Sequence, residues 1–217
     1  MSVGRRRRFG IGCHRAALTA IALLGAGEVA RADDIDTCFD AKGDTAIVAC
    51  THAIMSGRFN GAALASLYYN RAFENDSRGE YDQAIKDYDQ AIKLNPKDSY
   101  FTNRAAAYFH KKQYDLALAD LDEALKRNPD SAPALFGRAN VRKEKGEYSG
   151  AIADYGAALR LRPDFTYALV GRGDAYLRKG DYDRALADFD AALKLQPDNK
   201  FAQERRQRAL DEKSKKN

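Results

Sequence analysis

Hydrophobic positions along this chain fall at helical spacing, and the pattern starts again every 33 or 34 residues. Between Ser99 and Phe109, the side chains of Phe101, Ala105 and Tyr108 share one face of a helix. From Tyr114 to Asn128, Leu118, Leu121 and Leu125 form one stripe, with Ala117 and Ala124 beside it. The spacing predicts two amphipathic helices in each period. Neither can bury its apolar face alone, so the pattern predicts an all-α stack of antiparallel helix pairs.

Whole columns of residues recur in step. Pro96, Pro129, Pro163 and Pro197 close each period, because proline prevents the second helix from continuing. Tyr81, Tyr114, Tyr148 and Tyr182 open each second helix. Ala84, Ala117, Ala151 and Ala185 follow, then Ala91, Ala124, Ala158 and Ala192. Helices approach to about 8–10 Å, and small residues at the crossing allow it. Ala72, Ala105, Ala139 and Gly173 supply the same on the first helices. Tyr88, Leu121, Tyr155 and Phe189 are the large residues expected to fill the seams between neighbours. Gly79, Gly146 and Gly180 stand where a left-handed residue ends the first helix. The second copy has Lys112 there, which predicts strain or a different turn.

Two charged columns recur together: Arg71, Arg104, Arg138 and Arg172 on the first helices, and Asp87, Asp120, Asp154 and Asp188 on the second. A half-buried charge needs a partner, so an ion pair inside each repeat is expected, Arg104 with Asp120 for example. The other reading is an arginine ladder for an acidic ligand.

The flanks extend the stack. Asp44, Ala46, Ile47, Ala53 and Ile54 reproduce the order of Asp82, Ala84, Ile85, Ala91 and Ile92, with Cys50 at the place of Tyr88. Residues 33–61 therefore read as a degenerate leading half-repeat, 62–199 as four repeats, and 200–217 as a polar capping helix and tail that starts at an Asn199 cap.

The proline, tyrosine and alanine columns resemble the tetratricopeptide repeat (TPR) family. That resemblance implies a right-handed superhelical array whose first helices line a concave groove, taking an extended peptide or a partner helix. By position, the groove residues would be Tyr69, Asn70 and Phe73 in the first copy, and Thr102, Asn103, Ala106 and Phe109 in the second. Phe136, Asn140 and Lys143 would follow from the third copy, and Tyr167, Val170, Asp174 and Leu177 from the fourth. Chaperone-binding members hold a terminal carboxylate with Lys, Arg and Asn at fixed groove positions; here only Asn103 matches, Tyr69 and Phe73 stand where Lys and Asn would be, and Pro133 and Gly137 where two bases would be. A carboxylate clamp is not expected.

Charge narrows the partner. Residues 1–32 carry six arginines against Glu28, which accounts for the whole net charge of +5. The neutral remainder offers little attraction to nucleic acid or anionic lipid. The same segment has a basic run at Arg5–Arg8, an apolar stretch from Ala16 to Ala26, and small residues at Ala30 and Ala32. It reads as a cleavable signal peptide, which predicts a periplasmic or secreted protein with no stable membrane insertion afterwards. Cys38 and Cys50 would then be an isolated pair in an oxidising compartment, worth roughly 3 kcal/mol if bonded. Two buried free thiols are the alternative.

No catalytic set, P-loop, cofactor motif or metal-ligand spacing stands out; beyond the leader the histidines are His52 and His110, far apart in sequence. The sequence thus predicts a non-catalytic protein-binding scaffold without cofactor or metal, with a self-associating structural protein as the alternative.

Overall fold

A computed structural model describes residues 32–216. The expected leader lies outside the described residues except for Ala32. Among the described residues there are eleven helices and no strand. They form hairpins in chain order: α1 (Ala32–Asp40) with α2 (Asp44–Met55), α3 (Gly61–Ser77) with α4 (Tyr81–Leu94), and α5 (Asp98–His110) with α6 (Tyr114–Arg127). Then come α7 (Ala132–Glu144) with α8 (Tyr148–Leu161), and α9 (Thr166–Arg178) with α10 (Tyr182–Leu195); α11 (Lys200–Ser214) is the single last helix. Each hairpin touches its sequence neighbours, and alternate helices α3, α5, α7, α9 and α11 also meet along one side. The result is a solenoid.

The columns explain the stack. Ala84, Ala117, Ala151 and Ala185 are all fully buried, as are Ala91, Ala124, Ala158 and Ala192. Each second helix stops one residue short of the position before proline. Asn95, Asn128, Arg162 and Gln196 there are extended, with φ from −155° to −136°, because proline's ring excludes the helical conformation at its predecessor.

First helices end at Gly79, Gly146 and Gly180 with φ of 76–80°. Lys112 takes the same left-handed conformation at φ 58°. Its turn is not different: Gln113 N–H donates to Tyr108 O at 2.9 Å, as Glu80 N–H does to Asn75 O. The cost is conformational, about 1 kcal/mol for a residue with a Cβ.

The arginine column is paired in every repeat. Arg71 grips Asp87, Arg104 grips Asp120, Arg138 grips Asp154 and Arg172 grips Asp188, each through two parallel N–H···O bonds of 2.6–2.9 Å. This two-pronged geometry suits a guanidinium and would not suit an ammonium. A second set of contacts crosses the seams: Arg104 to Asp89 at 2.5 Å, Arg138 to Asp122 at 2.7 Å and Arg206 to Asp190 at 2.6 Å. For Arg172 the corresponding position is Gly156, so that rung is missing. Lysines at the helix ends add rim contacts between repeats, Lys145 to Asp115 at 2.7 Å and Lys213 to Asp183 at 2.5 Å among them.

The ends differ. Cys38 and Cys50 are bonded, with an S–S distance of 2.06 Å, and both are fully buried. Asn70 donates to the Cys38 carbonyl, and Gly43 N–H donates to Glu74 at 2.6 Å, which fastens the leading hairpin to α3. At the other end Asn199 accepts from Ala202 N–H at 3.0 Å, and α11 buries only Ala202 and Ala209. Among the described residues no helix is long and apolar enough to cross a membrane.

Candidate functional site

The first helices α3, α5, α7 and α9 carry every residue expected in the groove, and the structure gives these residues different surroundings. Thr102, Asn103, Ala106 and Phe109 of α5 meet Phe136 and Asn140 of α7 around a depression of about 300 Å³. Ala105, His110, Leu121, Pro133, Gly137 and Val141 complete it. The walls are fixed aromatics. Phe136 lies 4.8 Å from Phe165 and 5.9 Å from Tyr155, ring to ring, and Phe109 lies 5.8 Å from Tyr114. Such contacts hold the rings in place, so the valley is preformed.

The sequence marked six of these residues and missed the rest. Leu121 was readable as a filler of the seam, but its consequence was not. It is the one aliphatic residue in a column otherwise held by Tyr88, Tyr155 and Phe189. A break in a repeated column is the signal that points to the valley.

Toward the amino-terminal side the groove is more occupied. Tyr69 stacks on Tyr100 at 4.6 Å and accepts from Asn103 Nδ2 at 2.7 Å. Asn70 is engaged with the Cys38 carbonyl, so the two asparagines expected to meet a peptide backbone both donate within the protein. Phe73 is exposed. Deeper in the same seam, Oδ1 of Asp76 and the hydroxyl of Tyr88 are buried without a protein hydrogen-bond partner. Burial raises the Asp76 carboxyl above its usual range, with His110 across the seam acting against it. Burial, then the nearby Asp76 charge, raises the Tyr88 phenol.

On the carboxyl-terminal side the expectation is revised. Val170, Asp174 and Leu177 are 6%, 4% and 7% exposed, so α9 does not offer them to a guest. Val170 and Leu177 belong to the core cluster that also holds Tyr155, Phe189 and Ala202 of the last helix. Asp174 sits between Lys143 and Arg205, each at 3.4 Å. Lys143 is thus an ion-pair partner inside the seam. Tyr167, at the start of α9, is 68% exposed. Tyr155 closes this seam by donating its O–H to Asn140 at 2.5 Å. Among the described residues no three His, Cys, Asp or Glu side chains gather as metal ligands would.

Stacked helical hairpins with an apolar valley on the side lined by their first helices define a helical-repeat solenoid. Family models of the tetratricopeptide repeat match residues 65–98, 99–131 and 136–200, which together span more than half of the sequence. The chain belongs to the tetratricopeptide-repeat family. No curated protein matches it in sequence. Among solved structures it is similar to a tetratricopeptide repeat protein from Parabacteroides merdae, at 21% identity and a TM-score of 0.71, over 84% of this chain and 72% of that one. It is also similar to YrrB, described as a TPR protein with an unusual peptide-binding site, at 20% identity and a TM-score of 0.62, over 79% and 84% of the two chains. The first TPR of Spaghetti (RPAP3), bound to the HSP90 peptide SRMEEVD, matches at 22% identity and a TM-score of 0.52, over 53% of this chain and 91% of that one. These likenesses show the fold.

Proposed function

We propose that this protein is a non-catalytic scaffold of the cell envelope that holds an extended segment of a partner protein along α3, α5 and α7. The observation that carries the reading is the preformed valley between α5 and α7, where six expected groove residues converge around apolar walls. Peptide binding by the similar YrrB and RPAP3 domains supports the choice of ligand class. The partner is not held by a carboxylate clamp, since Pro133 and Gly137 replace the needed bases. Export rests on the arginine-rich, apolar leader, and the bonded Cys38–Cys50 pair fits an oxidising compartment.

Two measurements test this. Expression of the precursor in a bacterial host, followed by fractionation and mass spectrometry, should find a periplasmic chain beginning at Asp33. Affinity capture from envelope extracts should recover a distinct protein at 1:1 stoichiometry. The Phe109→Asp variant should lose it while keeping its helical circular-dichroism spectrum, at a lower melting temperature because Phe109 also packs on Tyr114. Retention of the partner by that variant would refute the groove.

A second reading, self-association, is favoured by one observation. Phe39, Val48 and Met55 of the leading hairpin are exposed, at 48%, 52% and 79%. It predicts a mass that rises with concentration in sedimentation.

A further inference from the structure

Of the five seams between successive hairpins and the last helix, two have a glycine at the same place, and one of these shows what can fill the other. At the seam between the third and fourth repeats, the Tyr155 ring lies against Gly171. A Cβ placed on Gly171 would stand 2.6 Å from the ring's Cζ, so only glycine leaves room for it. At the preceding seam Leu121 takes the place of Tyr155, and Gly137 takes the place of Gly171. The glycine is retained and the ring is not. Leu121 reaches Gly137 with the end of its side chain, its two δ-methyls 2.9 and 3.7 Å from where a Cβ would be. The space that a phenol fills at one seam is, at the other, the depression of about 300 Å³ opening on the groove.

We propose that this depression receives a phenylalanine side chain from an extended segment of the partner protein. The proposal rests on the groove reading above and names what the groove selects.

Three observations choose phenylalanine over other side chains. The buried residues of the lining are Ala105, Leu121 and Val141, and Phe109 and Phe136 flank them, so a ring meets aromatic edges and aliphatic carbon, with Thr102, Asn103, His110 and Asn140 as the polar part of the lining. Among the described residues lining the depression there is no Asp, Glu, Lys or Arg. A charged guest would lose its hydration there without compensation. A tyrosine would bring a hydroxyl to a carbon floor beside two asparagines already engaged, Asn103 with Tyr69 and Asn140 with Tyr155. At the seam where a tyrosine is accommodated, Asn140 accepts from its hydroxyl, and the counterpart of Asn140 at this seam is Ala106.

The test uses the full chain, labelled with nitrogen-15, and acetylated, amidated peptides of sequence Gly-Ser-X-Ser-Gly with X as Phe, Tyr, Leu or Glu. The Phe peptide should shift the amides of Ala106, Gly137 and Asn140 saturably. Its Kd should be at least fivefold below those of the Tyr and Leu peptides and at least tenfold below that of the Glu peptide. Leu121→Tyr should weaken the Phe peptide at least tenfold and leave the melting temperature unchanged or raised. Ala106→Asp, at an exposed position at the mouth, should do the same if Leu121→Tyr misfolds. The proposal is overturned by the absence of saturable shifts, by equal affinity for the Leu, Tyr or Glu peptide, or by shifts that survive both substitutions. It is also overturned if the same amides shift with protein concentration alone, which would make a second copy the occupant. If a captured partner is lost with Phe73→Asp and Phe109→Asp but kept by Leu121→Tyr, the groove stands and the phenylalanine site falls.

Discussion

The seam between α5 and α7 and the seam between α7 and α9 share a backbone plan, a glycine at the same place and an arginine–aspartate pair of the same geometry. One is open and the other is shut. The recess itself differs in two side chains, Leu121 against Tyr155 on the second helices and Ala106 against Asn140 on the first, while around it the open seam has Arg138–Asp122 and the shut one Lys143–Asp174. A ring with a hydrogen-bonded hydroxyl makes a wall, and a leucine facing an alanine leaves a recess. In a repeat protein a binding site can therefore arise by omission at one copy, while the columns that carry the fold stay intact.

The comparison can be broken at several points. The largest effect is expected at Asp154, which lies between the two seams and accepts from both Arg138 and Arg142. Asp154→Ala should cost about 3 kcal/mol in urea unfolding, because it leaves Arg142 without a carboxylate and Arg138 with only the exposed Asp122. A loss under 1 kcal/mol would mean that water replaces the carboxylate and that the ladder is a surface feature.

Next comes Gly171→Ala. The added methyl meets the Tyr155 ring, and overpacking of this kind costs about 1–3 kcal/mol, which outweighs the gain of about 1 kcal/mol in helix propensity. A net loss of about 1 kcal/mol is the expected outcome of thermal melting. A gain would show that Tyr155 swings away and that the shut seam can open.

Lys112→Gly removes a left-handed lysine from the repeat that bears the recess, and should stabilise by about 0.5–1 kcal/mol. The smallest effect is expected for Gly137→Ala. There the new methyl meets only the end of Leu121, which has the open recess beside it, so steric cost and propensity nearly cancel, within about 0.5 kcal/mol. If Gly137→Ala and Gly171→Ala proved equal, the contrast between the seams would be lost.

The parts of the fold that depend on repetition were legible in the sequence. The proline column fixed where second helices stop, through the extended residue before each proline. The paired arginine and aspartate columns announced their ion pairs, since two charges that recur in step on facing helices have few other partners. Lys112 was recognisable as an exception, and it keeps the turn at its own expense. The groove was legible only where nothing later in the chain lies over it. Val170 and Leu177 occupy groove positions in the repeat, yet they join the core that Ala202 of α11 completes. No pattern within α9 records that packing. Asn70 holds a groove position in the repeat, and its partner is the Cys38 carbonyl in the short α1, a helix with no counterpart pattern in the other copies.

Gly156 removes one rung from the series that ties each arginine to the repeat before it. Three of the joints are stitched by arginine on both sides, Arg71 through Thr51 and Arg104 and Arg138 through aspartates, and the joint at Arg172 is stitched on one side. At that joint Lys143 of the preceding repeat reaches Asp174 at 3.4 Å, so an ammonium does there what an arginine prong does at the other joints, and the shut seam is the one tied by lysine.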